Sequence, residues 1–371
     1  MNMSDWYEIE NIQEIDTPAL VIYPERVKEN IVTVKSMVKD LDHLRPHVKT
    51  NKSADACALM IKGGIYKFKC ATIAEAEMLG TVGAPDVLLA YQPFGPKISR
   101  LVNLIKKFAV TRFSCLVDNI ASAKSIGDEA VQNGIVIPVY LDLNVGMNRT
   151  GIIPGKDAID LYLACEKING IRPVGLHVYD GHIRDIDLAT REKRCAAAFK
   201  PVEQMIDSLV KSGMPKPILV AGGSPSFPIH AKWGKAECSP GTFIYWDAGY
   251  YQNYKEQAFQ PAALVVSRVI SLPDETTICT DLGHKSVAAE NPLDNRVLLL
   301  NAPGLEFKGQ SEEHLVLGAS KGHTYKVGDV IYGLPYHICP TCALYERAWI
   351  VNNHRADGEW KITARDRKIS V

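Results

Sequence analysis

Short apolar runs alternate with longer amphipathic segments along the first two thirds of the chain. The apolar runs have the length and composition of buried strands, and they lie at 19–23, 47–50, 67–72, 86–91, 113–117, 138–144, 173–179 and 218–221. Helical periodicity between them predicts helices, among them 73–81, 98–107, 120–134, 158–168 and 189–213. Eight strand–helix alternations with short connections predict an α/β fold of the (β/α)8 TIM-barrel type. A doubly wound sheet is the alternative, but the Gly-x-Gly-x-x-Gly turn that it favours is missing.

The pattern changes near residue 258, after which strand-like runs follow one another without long helices between them. They lie at 264–270, 277–280, 296–300, 330–332 and 348–351, with turns such as Pro273-Asp274 between them. This predicts a C-terminal antiparallel β domain at 259–371, which we expect residues 1–14 to join. The barrel domain is then 15–258.

Composition and charge argue against several classes of protein. The chain of 371 residues holds 42 Lys plus Arg and 42 Asp plus Glu, so no bulk positive charge predicts nucleic-acid binding. No apolar run reaches the ~18–20 residues of a membrane span, and the polar N-terminus does not resemble a signal peptide. Nine scattered cysteines predict unpaired thiols and a cytoplasmic location.

Lys49 ends a strand-like run and has Arg45, His47 and Lys52 close to it in the sequence. An amine near other cations loses proton affinity, because each added positive charge costs energy. Such a lysine suits imine formation with an aldehyde. A solvated basic strand end has the same pattern, so this stretch alone leaves both interpretations open.

Glycine turns follow predicted strands at the barrel rim, where the catalytic residues of this architecture lie. Gly222-Gly223-Ser224 follows the run 218–221, and Gly241-Thr242 belongs to a second turn. The backbone N–H groups of such turns bind phosphate, although each turn alone is also typical of an ordinary tight turn. A lysine suited to imine formation, together with a phosphate cradle, indicates pyridoxal 5'-phosphate (PLP).

Two further rim residues suit this cofactor. Arg149 follows the run 138–144, and Tyr179 ends the run 173–179. We expect Tyr179 to pack against the cofactor ring and Arg149 to hydrogen-bond a ring substituent or a carboxylate. A solvated rim tyrosine and a salt bridge between loops are the respective alternatives.

The segment 335–342 holds candidate metal ligands. As part of a strand it places His337 and Cys339 on one face, because side chains alternate. This donor pair suits zinc or another divalent metal and leaves positions for substrate. Cys339 and Cys342 also form a Cys-x-x-Cys, which is found in redox pairs and in structural zinc sites. A buried histidine with two inert thiols is the alternative.

These motifs together resemble the fold type III family of PLP enzymes, in the D-threonine aldolase and D-serine dehydratase branch, which shares its barrel with alanine racemase. The resemblance covers nearly the whole chain. It implies that Lys49, rather than Lys52, is the Schiff-base lysine. The other positions that it implies are His47 beside that lysine, Arg149 beside the phenolic oxygen of the cofactor, Tyr179 near the ring, a phosphate cradle of Gly222, Gly223, Ser224, Gly241 and Thr242, and a metal pair of His337 and Cys339.

The resemblance implies a lyase that uses PLP and a divalent metal (Zn²⁺ or Mn²⁺) to cleave D-β-hydroxy-amino acids. The expected reaction converts D-threonine to glycine and acetaldehyde, and either a metal-bound water or a nearby histidine, His182 or His314, takes the hydroxyl proton. A D-serine dehydratase, in which Lys49 also removes the α-proton, is the alternative, and a non-catalytic PLP-binding protein is another. The family also implies a homodimer. Asn51 replaces a histidine that many relatives carry, which leaves its role open.

Overall fold

The computed structural model describes residues 6–371 and separates the chain into two compact units. The first unit contains the residues up to Thr33, Thr50–Ala56 and Thr242–Arg365, and the second contains Val34–Lys49, Cys57–Gly241 and Asp366–Val371. These boundaries differ from the predicted ones, because 15–33, 50–56 and 242–258 group with the C-terminal strands. Residues 1–5, which were predicted to join the β domain, lie outside the described residues. Within 6–371, every helix is too short or too polar to cross a lipid bilayer.

The secondary structure elements are numbered in chain order. The strands are β1 (Ala19–Ile22), β2 (Lys67–Cys70), β3 (Asp86–Leu89), β4 (Arg112–Val117), β5 (Ile137–Leu143), β6 (Ile171–Val178), β7 (Ile218–Ala221), β8 (Glu237–Cys238), β9 (Ala263–Asp274), β10 (Thr277–Thr280), β11 (Val297–Leu299), β12 (Glu306–Gln310), β13 (Leu315–Gly318), β14 (Val330–Pro335), β15 (Arg347–Asn352) and β16 (Arg355–Lys361). The α-helices are α1 (Pro24–Ser36), α2 (Ala54–Lys62), α3 (Ile73–Thr81), α4 (Pro96–Lys107), α5 (Ile120–Gln132), α6 (Lys156–Cys165), α7 (Leu188–Lys211), α8 (Phe227–Trp233), α9 (Ala248–Asn253) and α10 (Ile338–Leu344).

The second unit is the predicted α/β barrel. Strands β2 to β8 form one parallel sheet in sequence order. Leu44 pairs in parallel with Cys238 of β8, and His47 pairs in parallel with Lys69 of β2. The segment 44–47 therefore closes the sheet as an eighth member, and the barrel prediction is confirmed. Counted from this segment, β7 and β8 are the seventh and eighth members, whose loops commonly bind phosphate in this architecture.

The sequence prediction assigned one barrel strand wrongly and missed another. The run 19–23 is not a barrel strand: β1 pairs antiparallel with β9 and parallel with β15 in the first unit. A short continuous apolar run fits any strand that is buried on both faces, and all four residues of β1 are buried. The missing barrel member is β8, which has only two residues and no recognisable pattern.

The first unit is built on a mixed sheet, in which the strands after residue 258 pair antiparallel with one another as predicted and the N-terminal β1 adds one parallel pair. Its strand order is β12-β13-β10-β9-β1-β15-β16, with β14 on β9 and β11 on β14, and the parallel pair is β1 with β15. Alternate residues of β9 enter different buried clusters: Leu264 and Val266 pack in one, and Val265 and Val269 pack in the other. Both faces of β9 are therefore covered, which explains its unbroken apolar sequence.

Local signals set several helix boundaries in the barrel unit. The Thr72 side chain accepts a hydrogen bond from Glu75 N–H at the start of α3, and the Asp187 side chain accepts one from Thr190 N–H at the start of α7. The observed α3 matches the predicted 73–81, and the predicted 120–134 ends two residues beyond α5. These caps satisfy backbone N–H groups that have no partner inside the helix.

Candidate active site

Four of the predicted site residues line one cavity in the barrel unit. The cavity has a volume of about 770 Å³, and His47, Lys49, Arg149 and Tyr179 form part of its wall. They lie at the ends of three different barrel members: His47 ends the segment 44–47 and Lys49 follows it, Arg149 follows β5, and Tyr179 follows β6. Because the carboxyl ends of barrel strands meet at one rim, residues far apart in sequence come together there.

Hydrogen bonds from backbone N–H groups to the side chain of Asn144 shape the loop that carries Arg149. Asn144 Oδ1 accepts hydrogen bonds of 3.0 Å from the N–H groups of both Gly146 and Asn148. The loop places the Arg149 guanidinium carbon 5.0 Å from the centre of the Tyr179 ring, a distance at which a cation is attracted to the π face. Arg149 and Tyr179 thus border the cavity as a pair.

The two candidate bases lie in different surroundings. His182 packs against the Arg149 loop, since a Cβ added to Gly146 would lie 2.7 Å from His182 Nε2. The buried Nδ1 of His182 has no hydrogen-bond partner among the described residues, and burial lowers the pKa of its ring. His314 lies in the exposed turn between β12 and β13 of the first unit.

Arg45 does not take part in a cationic cluster around Lys49. It is 1% exposed, and its guanidinium lies 2.6 Å from carboxylate oxygens of both Asp86 and Glu237. Lys67 pairs with the other oxygen of Glu237 at 2.7 Å. Arg45 is therefore a structural ion-pair residue that ties the segment 44–47 to its neighbours in the barrel.

The two glycine turns lie against each other and against Tyr179. Gly222 has a φ of +78°, a conformation that side-chain-bearing residues rarely adopt. A Cβ added to Gly223 would lie 3.2 Å from Tyr179 Cε2. Ser224 Oγ accepts a hydrogen bond of 3.4 Å from the N–H of Gly241. The predicted cradle residues of the barrel unit are thus adjacent, after the seventh and eighth barrel members.

Asp180, Cys195 and His230 form a buried cluster whose donor atoms lie within 4.8 Å of one another. His230 Nε2 lies 2.7 Å from one Asp180 oxygen, and Ser226 Oγ donates to the other at 2.7 Å. Ligand atoms on a tetrahedral zinc ion lie roughly 3.3 Å apart, so these are direct hydrogen bonds. Burial raises the pKa of the Cys195 thiol to about 12, which disfavours the thiolate that binds metals. We read the cluster as a network that holds Ser226, whose Oγ in turn accepts from Gly223 N–H at 3.3 Å.

The sequence prediction missed three residues of this region. Lys69 of β2 and His177 of β6 line the same cavity as Lys49. Lys69 Nζ lies 3.5 Å from His177 Nε2, and His177 Nδ1 lies 2.7 Å from Asp142 Oδ1. A signal existed: each of these polar residues lies near the carboxyl end of its strand, where barrel active sites lie.

His337 and Cys339 do not lie on a strand, so the alternation argument is wrong. β14 ends at Pro335, His337 is the N-terminal cap of α10, and Cys339 lies in the first turn of that helix. Pro340 fits this turn, because a proline there forfeits no helical hydrogen bond. The side chains of His337 and Cys339 nevertheless hydrogen-bond each other, so the predicted donor pair does come together.

Carboxylates surround this donor pair. His337 Nδ1 hydrogen-bonds Glu290, and Asp247 accepts a hydrogen bond of 3.2 Å from Ile338 N–H. Burial lowers the pKa of His337, but the hydrogen bonds to Cys339 and Glu290 outweigh it and raise the pKa to about 9. A metal would have to displace this proton. Burial also raises the pKa of Asp247, to about 6.

The thiols of the Cys-x-x-Cys differ in their surroundings. Cys342 is fully buried in α10, which raises the pKa of its thiol well above the ordinary value. Cys339 is only partly buried, and its Sγ lies 3.1 Å from Thr50 Oγ1 and 3.8 Å from Thr242 Oγ1. No disulfide joins the nine cysteines in the described chain. Asn51 has a local role, since its Oδ1 accepts a hydrogen bond from Ser53 N–H just before α2.

Comparison with known proteins assigns the family. The profile of the alanine racemase N-terminal domain matches residues 22–248, more than half of the chain. The chain belongs to the alanine racemase N-terminal domain family. A second profile, that of a serine dehydratase domain, matches residues 262–351. The resemblance drawn from the sequence motifs is therefore confirmed.

Several relatives of this alanine racemase-type chain match along nearly their whole length. It is 27% identical to a D-threonine aldolase of Arthrobacter sp., over 95% of this chain and 94% of the relative. It is 24% identical to a 3-hydroxy-D-aspartate aldolase of Paracoccus denitrificans, over 95% and 92% respectively. The crystal structure of D-threonine aldolase from Filomicrobium marinum superposes with a TM-score of 0.86 at 27% identity, covering 95% of this chain and 96% of that one.

Proposed function

We propose that this protein is a PLP- and divalent-metal-dependent lyase that cleaves D-β-hydroxy-amino acids, with D-threonine yielding glycine and acetaldehyde. The observation that carries the proposal is the cavity at the barrel rim that joins Lys49 to Arg149 and Tyr179. Similarity to D-threonine aldolase along 95% of the chain supports it. We also expect a homodimer, as the family resemblance implies, and a cytoplasmic location, as the scattered cysteines predict.

The cavity fits an anionic cofactor and an anionic substrate. Among the described residues, no carboxylate lines it, whereas six basic side chains do: Lys49, Lys69, Lys97, Arg100, Arg149 and Arg367. Phosphate and amino-acid carboxylate groups are stabilised in such a field. The glycine turn at Gly223 adjoins the cavity wall at Tyr179. Glycine turns of this kind can present backbone N–H groups to a phosphate.

Each residue has a distinct part in the proposal. Lys49 holds the aldehyde of the cofactor through its amine, and the turn of Gly222, Gly223 and Ser224 holds the phosphate. Tyr179 bounds the ring, and Arg149 supplies a positive charge next to it. Bound PLP stabilises negative charge on the α-carbon when a bond to that carbon breaks.

His337 and Cys339 suit a borderline metal such as Zn²⁺, because imidazole and thiolate are its usual ligands. Two protein ligands leave positions open, and carboxylates of Glu290 and Asp247 lie next to the pair. A metal held there acidifies a bound hydroxyl group. Burial lowers the pKa of His182, so its ring is neutral at pH 7. His182 is the proposed acceptor of the hydroxyl proton.

Dehydration of D-serine to pyruvate and ammonia is the second candidate. It is favoured by the serine dehydratase domain profile, which covers residues 262–351 and so includes His337 and Cys339. The same parts serve both reactions. In the dehydratase the α-proton must leave, whereas in the aldolase the bond between the α- and β-carbons breaks.

A product assay separates these candidates. We expect the loaded enzyme with Zn²⁺ or Mn²⁺ to convert D-threonine to glycine and acetaldehyde and to leave L-threonine unchanged. Pyruvate and ammonia from D-serine, without glycine from D-threonine, would support the dehydratase instead. Cofactor binding without turnover of either D-amino acid would contradict both and indicate a non-catalytic PLP protein.

Three variants test the assignment of the parts. Lys49→Ala should remove the absorption band of lysine-bound cofactor. Cys339→Ala should lower the metal content and the rate, because it removes a ligand, while Cys342→Ala is the matched control. Cys342 is buried in the same helix and is not placed at the metal, so that variant should keep its metal. Equal metal loss in the two cysteine variants would contradict the metal assignment.

A further inference from the structure

Lys69 is a buried amine that the proposed function does not use. It lies on β2, is 2% exposed, and lines the same cavity as Lys49. Its Nζ forms no ion pair within the described part of the chain, and its hydrogen-bond partner is His177 Nε2 at 3.5 Å. A lysine that is buried without a carboxylate partner is unusual, because removing its charge from water is costly.

The surroundings of Lys69 favour its neutral form. Burial is the largest cause, and the nearby positive charges of Lys49 and Arg45 act in the same direction. The carboxylates of Asp180 and Asp142 act against them but do not compensate, so the pKa of Lys69 falls from 10.5 to about 7. Near neutral pH this amine can therefore both accept and release a proton.

His177 orients the Lys69 amine. Its Nδ1–H donates to Asp142 Oδ1 at 2.7 Å, which leaves Nε2 as an acceptor on the side of Lys69. Burial lowers the pKa of His177, so its ring is neutral at pH 7 and can accept an N–H from Lys69. Lys69 Nζ also lies 5.6 Å from the centre of the Tyr179 ring, so it is held beside the ring that Arg149 borders.

Building on the proposed function, we propose that Lys69 is a catalytic acid–base residue that exchanges a proton with the α-carbon of the bound amino acid. Its place in the cofactor cavity, its lack of a counterion and its orientation by His177 carry this assignment. It gives the cavity two amines with separate tasks: Lys49 attaches the cofactor, and Lys69 transfers the proton.

Lys69 donates a proton in one reaction and accepts one in the other, and the proton balance closes in both. In aldol cleavage the β-hydroxyl loses its proton, the bond between the α- and β-carbons breaks to give the aldehyde, and the electron pair left on the α-carbon takes a proton from the Lys69 ammonium. Lys69 then regains from water the proton that the hydroxyl released. In dehydration, neutral Lys69 takes the α-proton, the bond between the β-carbon and the hydroxyl oxygen breaks, and the hydroxyl group leaves as water with a proton from solvent. Lys69 then returns the α-proton to solvent.

The test is the exchange of glycine α-protons with D₂O, followed by proton NMR on cofactor-loaded enzyme. Wild type should exchange them. Lys69→Met should keep the absorption band of bound cofactor. Its rate of α-proton exchange should fall by about 10²- to 10⁴-fold, the usual contribution of a general acid or base. Lys67→Met is the matched control, two residues earlier on β2, and should retain exchange once loaded.

Exchange in Lys69→Met within about threefold of wild type overturns the role of Lys69 and leaves the lyase intact. A wild type that forms no lysine-bound cofactor overturns the proposed function, and this inference with it. If Lys69→Met does not fold, Lys69→Arg keeps the positive charge but cannot act as a neutral amine. It should lose exchange as well, and undiminished exchange in it contradicts the inference.

A second readout needs no cofactor. In cofactor-free protein with ¹³C-labelled lysine, one ε-carbon signal should titrate near neutral pH, and the Lys69 variants should lack that signal. If the signal that the variants lack does not titrate near neutral pH, the amine is an ordinary ammonium and the inference fails.

Discussion

The buried ion-pair cluster around Arg45 leads to a quantitative prediction. Arg45→Met removes a guanidinium that is 1% exposed and lies 2.6 Å from oxygens of both Asp86 and Glu237. Glu237 keeps Lys67 at 2.7 Å, so Asp86, with a side chain 17% exposed, is the carboxylate left without a close partner. Removing one partner of a buried pair costs about 3–5 kcal/mol, and the remaining Lys67 contact places the expected loss near the lower end, at about 3 kcal/mol.

Guanidinium unfolding of the cofactor-free protein measures this loss. Arg112→Met is the matched control, because Arg112 also faces Asp86, but at 4.0 Å and with a side chain 48% exposed. It should cost less than about 1 kcal/mol, as exposed pairs do. Folded Arg45→Met should still attach the cofactor at Lys49, since Arg45 lies outside the cavity wall. A loss no larger than that of the Arg112 control would refute the structural role, and a folded variant without cofactor attachment would restore the sequence interpretation of Arg45 as a neighbour that activates Lys49.

Two further predictions concern acid stability and the phosphate turn. Burial raises the pKa of Glu77, but hydrogen bonds from Ser370 outweigh it and lower the pKa to about 2, so its stabilisation is complete above its ordinary value of 4.5 and is lost as the pH falls toward 2. In urea unfolding, the free energy of unfolding of wild type should exceed that of Glu77→Gln by roughly 3 kcal/mol at pH 7 and by clearly less at pH 3. A difference that does not change with pH would contradict this. Gly222→Ala should weaken PLP binding in equilibrium dialysis, because the φ of +78° and a Cβ 3.0 Å from His230 Cδ2 strain the turn. Gly213→Ala, also at positive φ but with nothing within 4 Å, should leave binding unchanged, and equal weakening in both would count against the cradle.

Much of the architecture follows from local patterns. The predicted helix 73–81 coincides with α3, and the predicted strand 277–280 coincides with β10. For the segment 19–23, the local pattern does not decide which sheet the strand belongs to. Its four buried residues fit a barrel strand and a sandwiched sheet strand equally well, because both environments require apolar side chains on each face. Only pairing with β9 and β15 decides between them.

In the candidate site, too, some features follow from the sequence and others only from the tertiary structure. The sequence by itself determined the chemistry available: a lysine in a recognisable motif, glycine turns, Arg149 and Tyr179 after strands, and an imidazole two residues from a thiol. These depend on residue type and spacing, which are local properties. They did not reveal that the histidine and the thiol meet at the start of a helix.

Tertiary structure decided which charges are active and which are structural. Arg45 and Lys69 are both cations on strand-like segments, and sequence reasoning grouped the first with Lys49 and passed over the second. Folding surrounds Arg45 with two carboxylates, which stabilise its charge. It buries Lys69 beside a neutral histidine, which favours the uncharged amine. Burial and the position of counterions set proton affinity, and both come from parts of the chain that are distant in sequence.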